Sequence, residues 1–338
     1  MARNVATRSA NKKRPGQTLP VMVGDHQAAA RGFARRSKSD ATIRAYEGDF
    51  RAFRAYCTAH GHSPLPAEPG AVAGFLVGEQ ERGCQASTLT RRLAAIRYHH
   101  RLSGHDSPTD DEGVRAVLSG IKRTIGTRQS PKTAATADLL GEMLKACPNT
   151  LVGKRDRAML ALAFAGALRR SELVALQVAD LAETPDGYRL TIRHSKGDQE
   201  GAGQTIAILR GRRLRPVEAV QEWLSASGIS EGPIFRQVNK SGRLLPLGRV
   251  NKHGRPVPDG LTAETVAEVV KLAAQRAGFD PAAFAGHSLR SGFISSAAAA
   301  GASIWKMLDV SRHKSVETLR RYVRDADAFR DHAGEDFL

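Results

Sequence analysis

At 338 residues the chain is longer than one hydrophobic core usually serves, so two domains are expected. Its 51 Lys and Arg against 34 Asp and Glu give a net charge of +17 and a pI near 10.3, which points to a polyanionic partner and leaves DNA, RNA and an anionic membrane open. No apolar run reaches a membrane span, no signal-peptide core opens the chain, and Cys57, Cys84 and Cys147 lack any CxxC spacing; a disulfide framework, a zinc cluster and membrane insertion are excluded, and a cytoplasmic protein is expected.

The first stretch, residues 1–37, is basic and poor in acids, the pattern of a disordered arm or of a transit peptide. "SDATIRAYEGDFRAFRAYCTAHG" then offers Asp40 as a cap, places Ile43, Tyr46, Phe50 and Phe53 at helical spacing, and stops at Gly61. "AEPGAVAGFLVGEQERG", "ASTLTRRLAAIRYHHRLSG" and "DDEGVRAVLSGIKRT" predict three further helices. In the middle one Leu89, Leu93, Ile96 and His100 share a side, with Arg91, Arg92 and Arg101 more outward. Residues 38–125 therefore read as a small helical bundle, and the Gly- and Pro-containing residues 126–136 as a linker.

Beyond it, "ATADLLGEMLKACP" and "GKRDRAMLALAFAGAL" are helical, the second apolar enough to be central. "YRLTIRH" and "QTIAIL" then alternate as two strands of a hairpin around the Gly-rich tip "SKGDQEGAG". Helices return with "PVEAVQEWLSASG", "TAETVAEVVKLAAQRAG", "SLRSGFISSAAAAG", "SIWKMLDV" and "SVETLRRYVRDADAF". The second domain, 137–324, is thus mostly helical with one small sheet, and no internal repeat is read anywhere in the chain.

Several residues could do chemistry. Arg169 and Glu172 are spaced as an ion pair at the end of the apolar helix, and Lys196 lies at the hairpin tip. His287 and Arg290 lie three apart, and a guanidinium fork suits two phosphate oxygens. His313 precedes a helix capped by Ser315, and Tyr322 lies on that helix beside Arg320, Arg321 and Arg324. Each has a bland reading: a helix-stabilising pair, a turn lysine, surface histidines, an amphipathic anchor. No P-loop lysine and no metal-ligand spacing accompany them.

The order of these residues decides between the readings. Arg169-x-x-Glu172, Lys196 in a hairpin, His287-x-x-Arg290, His313 and, nine residues on, Tyr322 resembles the tyrosine recombinase (phage integrase) family. "PAEPGAVAGFL", "STLTRRLAAIRYHHRLSG" and "PTDDEGVRAVLSGIKRT" are similar in kind and order to the core-binding helices of its Cre-type members. One departure stands before His313, where the family usually has Leu-Gly-His and this chain has "VSRH", with Arg312 for glycine.

The resemblance implies a mainly α fold with a small antiparallel sheet: a two-domain C-shaped clamp with a helical core-binding domain, an α+β catalytic domain and, over 325–338, a tail that docks on a neighbouring protomer. It implies a site-specific recombinase that cuts and rejoins DNA through a 3′-phosphotyrosyl link and a Holliday junction, without metal, ATP or other cofactor, with Tyr322 as nucleophile. Arg169, Arg290 and His313 would hold the phosphate, Lys196 would protonate the leaving oxygen, His287 would move the tyrosine proton, and Glu172 would fix Arg169. The implied partners are duplex DNA with inverted repeats and three further copies of the chain, as a homotetramer on two sites. Arg91 is the candidate base reader in the major groove; Arg92, Arg101, Lys122 and Arg123 are further DNA-contact candidates. Glu264 is equally a cytosine contact or a first-turn acid favoured by its helix dipole. The competing readings are a non-catalytic DNA-binding protein on the same fold, and a type IB topoisomerase-like or telomere-resolving strand transferase.

Overall fold

The computed structural model describes residues 37–127, 132–195, 203–313, 315–317, 319–320 and 322. The basic arm except Ser37, Lys196 at the hairpin tip and the tail 325–338 lie outside the described residues. The chain divides into two units between Ser130 and Pro131.

In the first unit, helical spacing gathers one apolar core. Helices α1 (Asp40–Ala59), α2 (Pro69–Glu81), α3 (Ala86–Leu102) and α4 (Glu112–Ile125) contribute Phe50, Phe53, Phe75, Leu76, Leu89, Ile96 and Val114 to it. Phe53 and Phe75 meet edge to face at 5.2 Å between centroids. His100 is fully buried here: Nδ1 lies 2.8 Å from the Ile96 carbonyl and Nε2 2.9 Å from the Ala67 amide. One nitrogen must donate and the other accept, so the ring is neutral, and burial lowers its pKa accordingly.

Two expectations are corrected in this unit. The cap of α1 is Ser39, whose hydroxyl accepts from the Thr42 amide at 3.3 Å, and Asp40 is a first-turn acid. Arg92 does not point outward. Its guanidinium pairs with the buried Glu79, which Arg82 also pairs with, and stands 5.6 Å from the Phe75 ring centroid, because a buried carboxylate and an aromatic face both draw the cation inward.

The second unit holds α5 (Ala137–Lys145), α6 (Leu151–Ala165), α7 (Arg170–Ala175), strands β1 (Leu181–Thr184), β2 (Gly187–Ile192) and β3 (Gln204–Leu209), then α8 (Pro216–Ser227), α9 (Ala263–Arg276), α10 (Ser288–Ala299) and α11 (Ile304–Ser311). Helix α6 is central, buried continuously from Ala158 to Phe164 and flanked by α8 and α10. On α8, Trp223 is wholly buried and its indole N–H donates to the Ile234 carbonyl at 2.8 Å. The later part of the predicted linker is tied into this unit: the Thr133 and Ala135 amides donate to Ala283 and Ser288. Gly292 permits that approach, since a Cβ there would collide with the Ala135 carbonyl.

The sheet has three antiparallel strands in the order β1-β2-β3, one more than the hairpin expected. The added strand is only four residues long, and its signal is the turn Thr184-Pro185-Asp186-Gly187 that reverses it into β2. The pairing of β2 with β3 ends at Ile192↔Gln204.

Candidate active site

The apolar helix α6 ends earlier than its composition predicts, and that early stop builds the site. Ala167 adopts a left-handed conformation with φ +43°, which turns the chain out of the helix. Arg169 is therefore the residue that caps α7 and not the last residue of α6. Glu172, one turn on, closes the cap: its Oε2 accepts from the Arg169 amide at 2.9 Å and its Oε1 from Arg169 Nη1 at 2.6 Å.

Two further guanidiniums converge on this turn. Arg290 on α10 is 1% exposed and donates from Nη1 to the Ala167 carbonyl at 2.6 Å. Arg312, at the end of α11, donates to the Gly166 carbonyl at 3.0 Å and to the same Ala167 carbonyl at 3.3 Å. Its Nη2 also reaches Glu172 Oε2 at 2.8 Å, in a pair whose side chains are 3% and 0% exposed. The Arg312 carbonyl in turn accepts from Arg169 Nη2 at 3.5 Å. Burial alone would raise the pKa of Glu172, but the charge of Arg312 and the hydrogen bonds from Arg169 outweigh it and hold the carboxyl below its usual range.

Arg312 is the member of this cluster that sequence reasoning did not place. It occupies the left-handed position φ +56°, ψ +40° that a glycine would adopt without strain. Filling it with arginine adds a buried cation that neutralises the far oxygen of Glu172. The only sequence signal was an arginine standing where the resembled family has glycine.

His313 follows directly. Arg290 Nη2 lies 3.3 and 3.4 Å from its two ring nitrogens, and Ser311 Oγ is 2.8 Å from Nδ1. An arginine only donates, so His313 meets it as a neutral ring. Burial, then the charges of Arg290 and Arg169, push its pKa down to about 4. His287, solvent-accessible as the cap of α10, has its pKa lowered by partial desolvation and by Arg290, Arg169 and Arg170. Burial and the neighbouring guanidiniums push Arg290 down to about 9, so it stays a cation at neutral pH.

Tyr322 completes the described set. Its ring is partly buried against the cluster of Ile294, Ala298, Met307 and Leu319, which joins α10 and α11. It lies within electrostatic reach of Arg290. Arg320 pairs with Glu317 at 3.1 Å. The site therefore gathers three guanidiniums at one turn against a single carboxylate, which pairs with Arg169 and Arg312 only, while Arg290 Nε is buried and without a partner among the described residues. An excess of buried positive charge is costly unless an anion completes it, and a phosphodiester has the size and charge to do so.

The other expected DNA-contact residues lie elsewhere. Arg91 forks onto the buried Asp49 at 2.7 and 3.0 Å, so two of its donors are committed within the first unit. Arg101 is exposed and 3.3 Å from Asp110. Lys122 and Arg123 lie in the last turn of α4, and Glu264 is an exposed acid in the first turn of α9.

The depressed pKa of His313 sets a pH dependence. Unfolded, the imidazole titrates near 6.5, and folded near 4, so the unfolded chain binds more protons between those values. Stability is then full above pH 6.5 and falls as the pH drops toward 4. The contribution lost between pH 7 and pH 5 is about 1 to 2 kcal/mol after allowing for partial exposure. Urea unfolding at the two pH values is expected to show a smaller drop for His313→Gln than for the parent, and an identical drop would remove this account.

Comparison with known proteins gives an independent view. The phage integrase family matches residues 135–328, and the phage integrase N-terminal SAM-like domain matches residues 33–103. An integrase/recombinase xerD homolog of Selenomonas ruminantium is 38% identical over 306 residues, which cover 88% of this chain and 85% of that protein. The recombinase cre of Escherichia phage P1 is 26% identical over 286 residues, 82% of each chain. Among solved structures, a lambda integrase dimer bound to a COC′ core site has a TM-score of 0.57 at 18% identity, covering 90% of this chain and 77% of that one. The Tn1549 transposon integrase in complex with transposon right end DNA has a TM-score of 0.58 at 15% identity, covering 89% and 95%.

Proposed function

This chain belongs to the phage integrase family and is a site-specific DNA recombinase, and from that premise we propose that it breaks and reseals DNA strands through a 3′-phosphotyrosyl intermediate on Tyr322. The observation that carries the reading is the convergence of Arg169, Arg290 and His313 beside one turn, with more positive charge than Glu172 balances. Arg169 and Arg290 hold the non-bridging oxygens of the scissile phosphate and offset the charge that grows on them in the transition state. His313, made more basic by the bound anion, donates a further hydrogen bond to the same oxygens.

The Tyr322 oxygen attacks phosphorus and gives up its proton to His287. The bond from phosphorus to the 5′-oxygen breaks, and Lys196 supplies the proton that this oxygen takes up. A 3′-phosphotyrosyl ester and a free 5′-hydroxyl result. Attack by a 5′-hydroxyl on that ester reverses every step, so rejoining draws on the stored ester and needs no ATP. The guanidiniums supply the electrostatic stabilisation that a divalent metal gives other phosphoryl-transfer sites, so the reaction needs no metal.

Residues 38–125 act as the core-binding domain and residues 137–324 as the catalytic domain. Two rounds of exchange by a homotetramer on two inverted-repeat sites pass through a Holliday junction, and the tail at 325–338 docks between protomers. The substrate is intracellular DNA.

The test uses a duplex carrying the site recovered by selection from a random pool, nicked beside the cleavage position so that a short fragment is lost after attack. The expected product is an SDS-resistant protein–DNA adduct, formed in EDTA and without ATP, with the nucleotide on the peptide containing Tyr322. Tight binding without any adduct would instead make the chain a non-catalytic binder.

A further inference from the structure

Between Phe235 and Leu261 the chain makes an excursion that leaves and returns at one place. The Leu261 amide donates to the Phe235 carbonyl at 2.9 Å, and Arg236 and Gly260 pair as an antiparallel bridge. Inside it the sequence repeats: Val238-Asn239-Lys240-Ser241-Gly242-Arg243 is followed by Val250-Asn251-Lys252-His253-Gly254-Arg255. This corrects the reading that the chain has no internal repeat.

The fold turns both copies into the same hairpin. The Asn239 amide donates to the Arg243 carbonyl at 2.9 Å, and that of Asn251 to Arg255 at 2.8 Å. Each asparagine carbonyl accepts from the glycine three residues on, at 3.0 and 2.9 Å. Each asparagine side chain accepts from the amide of the following arginine, at 2.8 and 3.1 Å. The glycines sit at φ +76° and +71°, as this type of three-residue turn with a bulge requires. The two hairpins also touch at equivalent positions, where Arg249 Nη2 donates to Gln237 Oε1 at 3.1 Å.

Turn geometry demands the asparagine and the glycine, but it does not demand a lysine at the apex or an arginine after the glycine. Both copies nevertheless have them. Lys240, Arg243, Lys252 and Arg255 are all exposed, and none has an ion pair among the described residues. Other exposed arginines do find carboxylates, such as Arg101 with Asp110 and Arg213 with Asp138. Residues 236–258 include six Lys or Arg and no Asp or Glu, and Asp259, the one carboxylate of the excursion, accepts from the Gly248 amide at 2.7 Å and pairs with neither tip. The root of the excursion abuts the active site's own scaffold, because the Ile234 amide donates to Leu176 at 3.1 Å, directly after α7.

We propose that these twin hairpins are a duplicated grip on the sugar-phosphate backbone of duplex DNA, separate from the catalytic residues, with each tip supplying one lysine and one arginine. The inference rests on the chain being a DNA recombinase. Backbone contacts of this kind add affinity and fix position without reading sequence.

The salt dependence of binding tests it. Anisotropy titrations use the full chain and a mixed-sequence DNA duplex, with Lys240→Ala/Arg243→Ala, Lys252→Ala/Arg255→Ala and the quadruple variant, each checked for an unchanged melting temperature. Each lost phosphate contact lowers the slope of log affinity against log salt by about 0.9, so the quadruple variant is expected to lose about 3 to 4 and each double variant about half of that. Between about 50 and 200 mM salt, the parent should then lose about a hundredfold more affinity than the quadruple variant. Equal slopes for parent and quadruple variant overturn the proposal, as does a change carried by one hairpin alone or one seen on duplex RNA and not on DNA. A parent that shows no salt-dependent DNA binding at all would instead remove the recombinase reading beneath it.

Discussion

Replacing Tyr322 by phenylalanine is expected to abolish the SDS-resistant adduct and to leave DNA binding and the melting temperature nearly unchanged. The ring of Tyr322 is held by apolar neighbours on α10 and α11, and phenylalanine keeps that packing while removing the oxygen alone. The guanidiniums that would receive the phosphate come from α10 and from the turn before α7, so the anion site remains. Loss of a nucleophile removes the covalent path outright instead of slowing it by a graded factor. If Tyr322→Phe still gave an adduct at the parental level, the attacking group would lie elsewhere, and with it the assignment of the site.

The parts of this site legible in the sequence are those fixed by short spacing. Arg169 and Glu172 were readable as a pair because residues three apart on a helix meet, although the helix they belong to is α7 and not α6. The misplacement has a local cause. Nothing in "AFAGALRR" announces that Ala167, an alanine, will take the left-handed conformation and end the apolar helix. Arg92 was misread for the complementary reason: periodicity places a residue on a face, but Glu79 and Phe75 come from another helix and draw its head inward. Arg312 is the extreme case. A buried arginine in a left-handed turn is unfavourable by every local rule, and it becomes intelligible only when Glu172, Gly166 and Ala167 are brought beside it by tertiary packing. The third strand and the twin hairpins were within reach. Both carry turn signals, Pro-Asp-Gly in one and Asn-Lys-x-Gly-Arg in the other, and only the second requires comparing one segment of the chain with another.

The largest stability effect is expected from Glu172→Gln. That change leaves Arg169 and Arg312 without the one carboxylate they share, and breaking a buried ion pair from one side costs about 3 to 5 kcal/mol. Arg312→Gly should cost less. It forfeits the ion pair and the donors to Gly166, Ala167 and Val310, but glycine relieves the left-handed backbone by about 1 kcal/mol. It also leaves Glu172 with Arg169 as a remaining partner. With both changes together, the uncompensated cation at 312 that makes Glu172→Gln expensive is no longer present. The double variant should therefore be more stable than the sum of the single losses predicts, by about 1 to 3 kcal/mol, as residues in one network couple. Urea unfolding of the four proteins at pH 7 measures that coupling. Additivity within about 0.5 kcal/mol would mean that Arg312 only occupies its turn, and Glu172 would then organise Arg169 alone. A coupling of the expected size would make Arg312 and Glu172 one unit that sets the position of Arg169, so Arg312→Gly should also slow adduct formation while Tyr322, His287 and Arg290 remain in place.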